Sequence, residues 1–413
     1  MTTDRAIQRW LMLAAGLLAL SLALPPTSHA QMAMEHGKPK APKAELGAAA
    51  VSDASGRIWL LTREAAEQGK AFLLLRFSSD MGRHWSAGRR VQAEAEPIAA
   101  DGESRPKLAL GTKGELYISY TKPLAKPYTG EIRFIRSNDG GQTFSAPLTV
   151  HANRDEITHR FDAMMTDKTG RIFIAWIDKR DSEAAKARKE SYAGAAMYYA
   201  VSVDGGRSFQ GDYKIADHSC ECCRIGLALN PDGVPVAMWR HVFGADIRDH
   251  ALLALTADGK PGEITRATFD DWRVNACPHH GPSLSFSPDG RRHQTWFSVH
   301  ADGGGVFYAA TKADGRLGTP VRLGNAQAEH ADVLTDGDKV VVVVWKQFDG
   351  QQTAIIGRVS QDGGRQWTET TLATTTGNSD QPHLFQTSEG VAVLWNTQAD
   401  GVRILRTVQE TAP

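Results

Sequence analysis

Ser78-Ser79-Asp80-Met81-Gly82-Arg83-His84-Trp85 decides the fold, because its pattern Ser-x-Asp-x-Gly-x-x-(Trp/Phe) returns without a mismatch at residues 137–144, 202–209 and 360–367. Each copy lies beside strand-forming residues, and such recurrence marks a repeat protein. The phrase has the chemistry of a tight turn. Its Asp can accept bonds from nearby backbone N–H groups, its Gly is free to take a positive φ, and the closing aromatic anchors the turn.

Working outward, a unit of roughly 50 to 60 residues repeats, each opening with a short strand, a Gly-containing turn and a second strand. The turns are Ser55-Gly56, Lys113-Gly114, Thr169-Gly170, Asp232-Gly233, Asp289-Gly290, Asp336-Gly337 and Glu389-Gly390. Six of the second strands end in an aromatic: Tyr120, Trp176, Trp239, Trp296, Trp345 and Trp395. The first unit departs, with Thr62 there. Aromatics at a fixed place in successive units predict a packing layer between blades. Four-stranded units stacked radially form an all-β propeller, here expected as one seven-bladed ring over residues 44–413, with six blades as the alternative. The last unit lacks an outermost strand, which the leader or first residues could supply. Only residues 181–189 read as helical, an excursion within the third blade.

The four phrases together resemble the Asp box, or bacterial neuraminidase repeat, of the sialidase-like β-propeller superfamily. The resemblance covers nearly all of the chain after its leader and implies a propeller scaffold. Activity is a separate matter, since unrelated functions share such scaffolds.

Residues 1–30 read as a secretory signal peptide, with Arg5 and Arg9 ahead of an apolar run at 10–24, two prolines and the ending Ser28-His29-Ala30. Cleavage is expected before Gln31. The expectation is an exported protein, periplasmic or extracellular, with no membrane span after processing. Residues 31–43 form a polar, flexible leader whose Met32-x-Met34-x-His36 has soft-ligand character. Lys and Arg number 47 against 47 Asp and Glu, so no overall field favours nucleic acid or an acidic membrane. The partners to expect are a small ligand, a metal ion or an exported protein.

A propeller's first strands line its central channel, so the residues opening each unit converge on the axis. They are Glu103-Ser-Arg105-Pro-Lys107, His159-Arg160-Phe-Asp162, Cys220-Glu-Cys222-Cys223-Arg224, Cys277-Pro-His279-His280, Glu329-His330 and Asp380-Gln-Pro-His383. All four cysteines are among them. One reading is a structural disulfide, from Cys277 to Cys220, Cys222 or Cys223, since four cysteines of an exported protein tend to oxidise. The other is a transition-metal site of Cys220, Cys222, Cys223, Cys277, His279 and His280. Thiolate with imidazole suits copper or zinc, and the leader tips the choice toward copper. Arg105, His159, Arg160, Arg224, His330 and His383 are the expected ligand-binding residues across the channel.

The family resemblance also implies a glycosidase alternative, in which Arg105, Arg160 and Arg224 would clamp a sugar carboxylate. Asp162 or Glu103 would be the acid and Tyr120 a distant nucleophile. The chain departs from that pattern: its three arginines fall in consecutive units, and no Tyr stands in a first strand opposite a Glu. The leading expectation is therefore a ligand-binding protein with a Cys/His cluster, ahead of an exo-sialidase-type hydrolase and of an interaction scaffold stapled by disulfides.

Overall fold

The computed structural model describes residues 44–407 apart from Ala245 and Pro261. The expected signal peptide and leader, residues 1–43, lie outside the described residues. Seven antiparallel sheets follow one another along the chain, six of four strands and, among the described residues, one of three. This is the seven-bladed propeller. The inner strands are Ala49–Ser52, Lys107–Leu110, His159–Thr166, Gly226–Leu229, Ser283–Phe286, Ala328–Asp336 and His383–Thr387. Each inner strand lies against the next, and the seventh returns to the first.

Each turn phrase folds the same way. Ser137 Oγ donates to Asp139 Oδ1 (2.8 Å) and accepts from Gly141 N (2.9 Å), while Asp139 Oδ1 accepts from the N–H groups of Gln142 and Thr143. The other copies repeat these Ser–Asp and Gly–Ser bonds. The closing aromatic docks on the preceding blade: Phe209 meets Phe134 edge-on at 5.0 Å and Trp367 meets Tyr308 at 5.1 Å. The phrase is thus a rivet between blades as well as a turn.

The aromatic layer holds the blade interiors. Tyr120, Trp176, Trp239, Trp296, Trp345 and Trp395 are at most 2% exposed. Truncating one such Trp to Ala costs about 3–5 kcal/mol. The excursion in blade 3 is a helix, Arg180–Ala187.

Ring closure uses polar and apolar contacts between blades 1 and 7. Asn396 Nδ2 donates to Leu46 O (2.8 Å) and Ala48 N to Asp380 Oδ2 (3.3 Å). Ala50, Ile58 and Leu60 share an apolar cluster with Phe385, Ala392 and Leu394, flanked by Trp85 and Ile404. Of the two sources expected for the strand completing blade 7, the leader lies outside the described residues, and residues 44–48 form no strand there.

Candidate metal centre and axial pocket

The loops that open the inner strands bring side chains from four blades, the second, fourth, sixth and seventh, to one polar plug. Glu103 is its hub, 3% exposed. Its Oε1 accepts from Arg224 Nη1 and Gln381 Nε2, both at 2.9 Å, and its Oε2 accepts from the N–H groups of Arg224 (2.7 Å) and Gly281 (3.0 Å). Burial raises this carboxyl, but the Arg224 guanidinium, His330 and the Arg224 N–H overcome that and hold it well below the usual carboxylate range. Arg224 Nη2 reaches Ala331 O (2.6 Å). Arg105 donates to Gly102 O, Ala48 O, Gln381 O and Asp380 Oδ1 (3.2 Å). Burial pushes Asp380 up, against the pull of Arg105.

The plug residues Glu103, Arg105, Arg224 and Gln381 share the lining of a cavity of about 190 Å³ with Lys107, Ser283, Asp332 and His383. Asp332 accepts from Ser283 Oγ (2.5 Å) and Leu384 N (2.8 Å), and His383 Nδ1 lies 3.2 Å from it. His383 thus faces the pocket.

The thiols form a second centre. Cys220, Cys222 and Cys223 are buried and hold their sulfurs within 4.8 Å of one another, with Cys220 Sγ 3.8 Å from Cys222 Sγ and 3.3 Å from Cys223 Sγ. Cys277, half-buried in the loop before the next blade, packs on the same cluster and interacts with Cys220 and Cys222. All four are free thiols in this structure. Hydrogen bonds from its neighbours pull the Cys220 thiol down, whereas burial above all pushes Cys223 up to about 12.

Arg240 lies beside them, 1% exposed. It donates to the carbonyls of Arg248 (2.7 Å), His280 (3.1 Å) and Phe297 (2.8 Å). None of these acceptors carries a charge. Its positive charge favours the thiolate forms of both Cys220 and Cys223, a smaller influence than the hydrogen bonds at Cys220 and the burial at Cys223.

The remaining expected site residues divide. His280 and His330 approach each other, with ring centroids 4.6 Å apart, while His279 is exposed. His159 is turned away into the wall between blades 2 and 3, fully buried, stacked on His151 at 3.9 Å and bonded to Gly130 O and Asn153 Oδ1. Arg160 lies over the Phe161 ring, 4.9 Å from its centroid, outside the Glu103 plug. Asp162 accepts from Ser119 Oγ (2.6 Å) and Thr121 Oγ1 (3.2 Å). Tyr120 is buried within a blade, bonded to Glu96. The three arginines therefore do not share one pocket. Sequence reasoning missed Asp332 and Arg240. Asp332 had a signal, its place two residues beyond His330 on an inner strand, but Arg240 sits at the end of a second strand, where nothing pointed to the axis.

No protein-family model matches the chain, and no curated protein matches it. Solved structures do resemble it. A PL25 ulvan lyase bound to -[GlcA(1-4)Rha3S]- shares 10% identity at a TM-score of 0.54, over 86% of this chain and 90% of that one. A protein of unknown function from Dyadobacter fermentans DSM 18053 shares 16% identity at a TM-score of 0.50, over 76% and 94%. A NanB sialidase from Streptococcus pneumoniae shares 9% identity at a TM-score of 0.45, over 75% and 67%. At such identities the likeness is one of propeller fold.

Proposed function

We propose that this chain is an exported propeller that binds a soft transition metal, copper before zinc, on Cys220, Cys222, Cys223 and Cys277. The sulfur geometry carries this reading. A tetrahedral ion with metal–sulfur bonds of about 2.3 Å holds its ligands about 3.8 Å apart. The Cys220–Cys222 separation is 3.8 Å. Binding releases the thiol protons to solvent and leaves several thiolate charges in a buried site. The bound ion and Arg240 offset them. Half-buried Cys277 gives the ion its way in.

One observation favours a second reading. The 3.3 Å contact between Cys220 and Cys223 sulfurs suits a disulfide there, and Cys222 with Cys277 would then form another, making the cluster a staple between blades. The ulvan lyase structure holds a saccharide. A carboxylate clamp for a sugar has little support in this chain, because the Arg105 and Arg224 forks are already filled by protein acceptors.

Elemental analysis with thiol counting, on protein recovered from an oxidising compartment, separates these readings. Metal binding predicts about one ion per chain, four thiols released on chelation, and loss of the ion in Cys277→Ser. A metal-free protein with no titratable thiol would overturn it in favour of the staple.

A further inference from the structure

We infer that His280, His330 and Glu329 form a second metal site, for a borderline divalent ion such as zinc or cobalt(II), separate from the thiol cluster and independent of it. The three side chains offer ligand atoms that all lie within 4.8 Å of one another. Two imidazoles and one carboxylate suit borderline divalent ions, whereas the all-sulfur group nearby suits soft ones.

The backbone is shaped to present this triad. Glu329 pairs with Lys346 and Asp332 with Val344, so the inner strand of blade 6 has a bulge between them at His330 and Ala331. His330 itself has a φ of +52°. A left-handed non-glycine residue in a bulge re-aims its side chain at a local cost in strain, a combination found at functional sites. Here it turns His330 from the strand toward His280, which arrives from the loop before blade 5.

The outer contacts fit a metal-bound histidine. His330 Nδ1 lies 3.4 Å from the plug carboxylate Glu103 Oε1 and, like His280 Nδ1, is buried without a hydrogen-bond partner, while Nε2 lies 3.7 Å from Glu329 Oε2. A small approach of Nδ1–H to Glu103 on metal binding would give the order of carboxylate, imidazole and ligand site by which proteins orient a metal-binding histidine. Nε2 is then the ligand atom. His280 stacks on Phe297, with centroids 4.1 Å apart, which fixes its plane, and its Nδ1 is buried with no hydrogen-bond partner. A buried ring nitrogen in that condition lacks the partner an ion would supply. Glu329 remains 38% exposed, so the site opens to solvent on that side.

Closing on an ion asks for small movements. Bonds of about 2.1 Å in a tetrahedral site place ligand atoms about 3.4 Å apart, close to the 3.7 Å between His330 Nε2 and Glu329 Oε2 and inside the 4.8 Å that bounds all three. Lys346 Nζ, 3.6 Å from Glu329 Oε1, yields that carboxylate and keeps its bond to Ser379 O.

Cobalt(II) added to the full chain tests the site by its spectrum, since thiolate ligation gives a sulfur-to-metal charge-transfer band and an imidazole–carboxylate site gives ligand-field bands alone. The expected result is a saturable sulfur-free spectrum of about one equivalent, present even when all four cysteines are oxidised. Glu329→Gln and His330→Asn should each weaken it at least about tenfold while leaving any charge-transfer band unchanged. Asn tolerates the left-handed backbone at 330, and circular dichroism verifies that both variants are folded. No sulfur-free spectrum in the parent protein, or one unaltered in both folded variants, overturns the proposal whatever the thiols do.

Discussion

The plug and the thiol cluster occupy equivalent stations of the ring, the loops that open the inner strands, yet their groups are satisfied to opposite degrees. In the plug, four donors converge on Glu103 and every terminal nitrogen of Arg105 and Arg224 has an acceptor. Around the thiols, the buried Arg240 guanidinium has only uncharged carbonyl acceptors, its Nε is buried without a partner, and the His280 Nδ1 of the next blade is in the same state. A saturated network has nothing left to offer a ligand and serves closure. Groups left unsatisfied in a packed interior lack a partner, which is what the proposed metal ion would supply.

The largest effect should come from breaking the saturated side. Glu103→Ala leaves Arg224 as a buried cation without its carboxylate and takes the acceptor from two backbone N–H groups, so unfolding stability should fall by about 3–5 kcal/mol. Urea denaturation measures it. A loss below about 1 kcal/mol would mean that the plug is not what ties the blades together at the axis.

The unsaturated side should respond to ligand rather than to truncation. With copper(I) at a thousandfold excess over its dissociation constant, the protein should gain about 4 kcal/mol of stability. Cys220→Ser should abolish that gain, because it removes the sulfur closest to two others. Thermal unfolding with and without the ion reads both arms, and an equal gain in the variant would place the metal elsewhere.

Legibility in the sequence follows the same division. The turn phrases and the Trp layer are local patterns whose geometry repeats, so blade number and order could be read from spacing. The cysteines could be grouped because neighbouring blades must meet. The direction of His159 could not. Ala175 pairs with Ala163 but Ile177 pairs with Arg160, so the strand carries a bulge at Phe161 and Asp162, where Phe161 has a φ of +58°. One extra residue exchanges the two faces of a strand. His159 therefore enters the wall between blades, and neither composition nor periodicity encodes that inversion. The equivalent bulge at His330 brings its ring toward His280 instead. Arg240 was illegible for another reason, since its three acceptors are backbone carbonyls from separate segments.

The wall that received His159 gives a third, smaller effect, through pH. His151 accepts from Ile132 N at Nε2 and contacts Asn153 O through Nδ1, so only the tautomer protonated at Nδ1 satisfies both. Burial first, then His159, lowers its pKa to about 3. A folded value below the unfolded 6.5 means a contribution fully present above pH 6.5 and lost as pH falls. The loss from this residue is about 1.4 kcal/mol by pH 5.5. The plug should be silent over that interval, because Glu103 stays ionised in both states. Urea midpoints for the parent and His151→Gln should therefore converge between pH 7.5 and 5.5, and parallel profiles would assign the acid sensitivity elsewhere.

The smallest expected effect is also the most discriminating. Cys277 is the half-buried member of the thiol cluster, and serine is close to it in size, so Cys277→Ser should change the unfolding stability of the metal-free protein by less than about 1 kcal/mol. If Cys277 instead closed a disulfide with Cys222, the same substitution would release a cross-link between blades 4 and 5 and cost about 2–4 kcal/mol. A residue that can be changed almost without consequence for the fold, yet whose loss empties the site, has no structural reason to be a thiol. Urea unfolding of the chelated protein decides which of these holds, because chelation removes the ion but leaves any disulfide in place.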